Sequence, residues 1–103
     1  MAYDPGALEA TLAAVAGEQG ALIAELRAAF FEGADGHVTA MKAATAQPVW
    51  EQAALRLRSL AASFGLQRVM DAARDATSVP CGDARALQRI ERALSVLRPA
   101  DGG

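Results

Sequence analysis

The sequence predicts an all-α fold, an antiparallel up-and-down four-helix bundle with a short extra N-terminal helix. Three observations carry that expectation. Apolar residues make up 52% of the chain and much of that share is alanine, the residue with the highest helix propensity. Glycine and proline gather at a few joints instead of spreading through the sequence. Between the joints, apolar residues recur at helical spacing. At 103 residues the chain has the length of one domain with one modest core. A single domain over residues 1–103 is expected, structured over about 5–97, with a tail at 98–103.

The first helix is expected to open at Asp4-Pro5, because Asp accepts hydrogen bonds from free N–H groups and Pro at the first helical position gives up none. It should run from about Pro5 to Val15, with Gly17 and Gly20 loosening the chain after it. Leu22, Ile23, Leu26, Phe30, Ala34, Met41 and Thr45 then mark a long second helix despite Gly33 and Gly36. Gln47-Pro48 ends that helix or starts the next, which should occupy about Val49 to Phe64. Gly65 stands where a C-terminal glycine turns the chain in a left-handed conformation. A further helix is expected over about Leu66 to Ala76, followed by a loop at 77–82. Asp83 is placed as the N-cap of a last helix striped by Leu87, Ile90, Leu94 and Leu97. The short joints favour antiparallel neighbours.

Composition excludes several functions. Ten basic and 12 acidic residues give a net charge of −2, without the basic footprint of a nucleic-acid binder. Cys81 is the sole cysteine and His37 the sole histidine, so neither an internal disulfide nor a metal-binding cluster is expected. The N-terminal residues lack a signal-peptide pattern, and no run approaches the roughly 20 apolar residues of a membrane span. A soluble, cytoplasmic protein without cofactor follows as the expectation. No Ser-His-Asp or Cys-His set and no phosphate-cradling glycine loop is present, so an independent enzyme is not expected. Asp71 and Asp75 lie one turn apart and alternate with Arg68 and Arg74, which reads as a solvated face.

The segment Leu55-Arg56-Leu57-Arg58-Ser59-Leu60-Ala61-Ala62-Ser63-Phe64-Gly65 resembles the signature of histidine-phosphotransfer (HPt) domains. That signature reads His, any residue, Leu, Lys, Gly, four variable positions, an apolar residue and Gly. Leu57, Phe64 and Gly65 match, Arg58 is a basic substitute for Lys, and Ser59 is a small substitute for Gly. The histidine position is Leu55. The helix layout extends the likeness over about residues 5–97.

A helical wheel tests that alignment, since each residue advances about 100°. Trp50, Ala53, Ala54, Leu57, Leu60, Ala61 and Phe64 fall on one side; Leu55, Ser59 and Ala62 fall opposite, with Glu51 and Arg58 beside them. Leu55 is therefore expected to point outward, where the resembling domains carry their phosphorylated histidine. Leucine has no nucleophilic nitrogen and cannot relay phosphate. The resemblance then implies a binding module of two-component phosphorelay signalling, with Leu55, Arg56, Arg58, Ser59 and Ala62 engaging a response-regulator receiver domain or a histidine kinase, as a monomer or weak dimer. Arg58 matches the position whose charge assists the phosphoryl group in the family.

Plainer readings stand beside this one. Leu55 is equally an ordinary exposed leucine or one covered by the first helix or a dimer partner, and Arg56, Arg58 and Arg68 are first of all solvated charges. His37 is the only imidazole for an alternative phosphocarrier, but it lies about 20° from Phe30 on the wheel and reads as a partly buried structural residue. Phe30 and Phe31 point in different directions, one to the core and the other open to the bundle edge or a partner surface, with core packing the better account of both. Trp50, Met41 and Met70 read as core-filling residues, and Cys81 as an incidental loop thiol. A self-associating structural bundle is the remaining alternative.

Overall fold

The computed structural model describes the backbone of residues 5–98 and the side chains of residues 17 and 19–98. Asp4 and the tail from Pro99 onward, for which a cap and fraying were expected, lie outside the described residues. Four helices and no strand are present among them: α1 (Pro5–Ala43), α2 (Gln47–Ser63), α3 (Gln67–Ala76) and α4 (Ala84–Leu97). The chain divides into two compact units, residues 1–31 and 32–103.

In the first unit the sequence expectation is corrected. The short N-terminal helix and the long helix after it are one continuous helix. Neither Gly17 nor Gly20 takes a positive φ. Each costs a helix about 1 kcal/mol relative to alanine, and the Ala- and Leu-rich flanks offset that. The apolar stripe read from the sequence is also only partly buried. Leu22, Ile23 and Leu26 are 55%, 53% and 47% exposed, whereas Phe30 and Phe31 are both buried. The two rings meet edge to face, centroids 5.2 Å apart, so packing accounts for both, and neither lies at an exposed edge.

The second unit holds the rest of α1 and the other three helices. Its core is built from Ala34, Val38 and Met41 of α1, Trp50, Ala54, Leu57 and Ala61 of α2, Val69, Ala72, Ala73 and Ala76 of α3, and Ile90 and Leu94 of α4. Only Val69 among these α3 residues exceeds alanine in size, which suits close approach of that helix to its neighbours. Gly33 serves the same end. A Cβ built there would stand 3.0 Å from Leu60 Cδ2, so the missing side chain is what seats Leu60 against α1. The Trp50 indole N–H donates to the Ala76 carbonyl at 2.8 Å, pairing a buried donor at the start of α2 with an orphan acceptor at the end of α3.

The joints behave as their residues require. Gln47-Pro48 starts α2, with Pro48 in the first turn, where its missing N–H goes unnoticed. Gly65 has φ +68°. Its N–H donates to Ala62 O at 3.1 Å and the Leu66 N–H to Ala61 O at 3.0 Å, the paired bonds of a Schellman ending. Asp83 caps α4 by accepting from the Ala86 N–H at 2.8 Å. Leu87 and Leu97 are only half-buried on the α4 stripe.

Candidate partner-binding face of α2

The rotation of α2 about its own axis is set by Trp50, Ala54, Leu57 and Ala61, each 0% exposed. Burying the two large members contributes about 1.5–3 kcal/mol each. With that side anchored, period 3.6 leaves the opposite side to solvent. Leu55, Arg56, Arg58, Ser59 and Ala62 are all exposed, and Leu55 keeps 46% of its surface. The five residues named from the sequence thus share the outer side of one helix. Leu60 and Phe64, placed by the wheel on the inner side, are half-buried and 39% exposed respectively. They sit towards the C-terminal end of α2, where the core thins.

Leu55, Ser59 and Ala62 form one line along the helix, spaced four and three residues apart. Gln52 and Ser63 are exposed on the same line; sequence reasoning passed over them, although the i, i+3, i+7 spacing was there to read. The Ser63 hydroxyl is turned back onto the helix, donating to the Ser59 carbonyl at 3.2 Å. Arg56 and Arg58 flank Leu55, and neither is ion-paired among the described residues. Both guanidiniums are therefore open to an anion or carboxylate. The face is an apolar point between two cations, with small residues beyond it. It carries no imidazole or thiol, and among the described residues no group of His, Cys, Asp or Glu could hold a metal.

The other singled-out residues are elsewhere. His37 is half-buried on α1, where Ala34, Val38 and Met41 are buried neighbours in sequence. Arg68 lines an open groove between α3 and α4 with Arg89, Arg92 and the exposed Val96. Asp75 is not merely solvated, as its spacing suggested. Its carboxylate accepts a hydrogen bond from Arg89 of α4 and lies 3.5 Å from Arg74. The Arg89 hydrogen bond holds its pKa below the ordinary 3.8; desolvation opposes this, and the charges of Arg89 and Arg74 add to it.

Cys81 also has a role that its loop context did not reveal. The Gln47 side chain donates to Val79 O at 2.9 Å and accepts from the Cys81 N–H at 2.7 Å. The thiol donates to Ala44 O at 3.1 Å. These bonds tie the 77–82 loop to the joint between α1 and α2. Contacts so distant in sequence leave no local signal.

Comparison with protein families, curated proteins and solved structures finds no match to this chain. No helix among the described residues is long and apolar enough to cross a membrane.

Proposed function

We propose that this protein is an HPt-like binding module of cytoplasmic phosphorelay signalling that engages a response-regulator receiver domain or a histidine kinase without carrying phosphate. The observation that carries the reading is Leu55. It is exposed on α2 where the resembling domains have their histidine, with Arg56, Arg58, Ser59 and Ala62 around it. Competition with a genuine phosphotransfer protein needs no chemistry, only occupation of the partner's acidic site.

Helix pairings support the antiparallel bundle that this reading requires. Asp35 meets Arg98 and Lys42 meets Glu91, so residue numbers rise along α1 as they fall along α4. Trp50 reaching Ala76 and Gln47 reaching Val79 give the same reversal for α2 and α3.

The test is binding and phosphotransfer profiling against receivers and kinases of the same organism. Burying the exposed half of Leu55 contributes about 1 kcal/mol, and a carboxylate there also repels an acidic receiver. Leu55→Asp is therefore expected to weaken binding by about tenfold. Unchanged affinity removes this face from the proposal, and an acid-labile label on the chain, lost in His37→Gln, replaces the binding module with a phosphocarrier.

A further inference from the structure

Gly17 and residues 19–29 of α1 are exposed throughout, including Leu22, Ile23 and Leu26 at about half of their surface. A helical segment with three large aliphatic residues in water lacks the packing that ordinarily stabilises helices. The sequence spacing indicates what covers it. Leu8, Leu12, Val15, Gln19, Leu22, Leu26 and Ala29 follow one another at alternating intervals of four and three, the a and d positions of a heptad repeat. Between residues 8 and 29, every aliphatic residue larger than alanine falls at a, d or the adjoining e position, Ile23 supplying the last. Gly17 and Gly20 fall at f and b, off the seam, and a Cβ at either would meet nothing within 4 Å. The repeat thus crosses both glycines without interruption, as does the helix.

We infer that residues 8–29 pair with the same segment of a second copy of this chain as a parallel two-stranded coiled coil. A 3.5-residue repeat is satisfied by a second helix carrying the same repeat. The charges select the orientation. The g positions include Glu18 and Glu25. In an antiparallel pair these columns face each other and repel, whereas in a parallel pair Glu18 and Glu25 face the uncharged Ile23 and Phe30 at the e positions that follow, and Glu9, the charged e position, faces a g position before the paired segment. Six large aliphatic residues per copy, each burying roughly 60–120 Å², give an interface of roughly 1,000 Å² in total, the low end for specific association. The dimer is accordingly weak and concentration-dependent, and Gln19 at an a position weakens it further. This surface is separate from the Leu55 face and does not depend on its function.

The test is the mass of the full chain in solution from about 1 to 100 µM. The expected result is a rise towards twice the chain mass of 10.7 kDa. Leu22→Glu with Leu26→Glu should stay monomeric at the top concentration while the near-ultraviolet signal of buried Trp50 is retained. Gly17→Ala with Gly20→Ala should lower the dissociation constant by about tenfold or more, because both positions favour helix and touch nothing. In a Cys81→Ser background, Leu22→Cys should cross-link two copies under mild oxidation. A monomer at 100 µM overturns the inference, as does a dimer that survives both glutamates. Weakening by the alanines also overturns it, since it marks Gly17–Gly20 as a hinge that folds residues 5–16 back onto the exposed stripe of the same chain. A failed cross-link overturns the parallel orientation.

Discussion

Gly65 ends α2 with φ +68°, and a Cβ there would meet nothing within 4 Å, so the whole cost of a side chain is backbone strain. Gly65→Ala is expected to destabilise the fold by about 1–2 kcal/mol, which thermal unfolding reads as about 4–8 °C for each kcal/mol. A shift below 1 °C would mean that the paired bonds to Ala61 and Ala62 do not need the left-handed turn. The same residue belongs to the HPt-like pattern read from the sequence. Two of its three matched positions, Leu57 and Gly65, have plain structural duties, one filling the core and the other turning the chain. At Leu55, Arg58 and Ser59, where the resembling domains carry His, Lys and Gly, the residues differ. Core burial and a glycine cap leave strong marks in a single sequence; an exposed face leaves only the absence of a reason to be apolar, which is why Gln52 and Ser63 escaped notice.

At the level of helices, α3 and α4 are joined by a charged contact as well as by apolar packing. Asp75 bonds Arg89 and its pKa is lowered. A carboxylate with a depressed native pKa contributes stability that is fully present above its unfolded value and is lost as pH falls through the native one. The α3–α4 contact is therefore expected to weaken below about pH 4, and Asp75→Asn should flatten that part of the stability-against-pH curve while changing little at pH 7, since exposed pairs are weak. An identical acid profile in the variant would remove Asp75 from the account. Helix boundaries show what the sequence can and cannot give at this scale. The start of α2, its end and the start of α4 were marked by Pro48, Gly65 and Asp83, each with a local physical reason. The break expected at Gly17–Gly20 rested on propensity alone, which neighbouring alanine and leucine outweigh.

For the molecule as a whole, the second unit closes through contacts between residues far apart in the chain, and the Gln47 side chain is the clearest of them. Its amide spans 32 residues to Val79 and 34 to Cys81. Each bond closes a loop of 32 or 34 residues, whose entropy must be met before the contact rewards it. The Cys81 amide is thereby an internal clock. A loop N–H of this kind ordinarily exchanges with solvent deuterium within the mobile range of the molecule. Here its exchange should be slowed to the opening rate of the loop clamp, and in Gln47→Ala it should return to that of a free loop. Iodoacetamide labelling of the Cys81 thiol, held by Ala44, should accelerate in the same variant. Two independent chemical probes on one residue would then time the opening of the joint between the 77–82 loop and the α1–α2 corner.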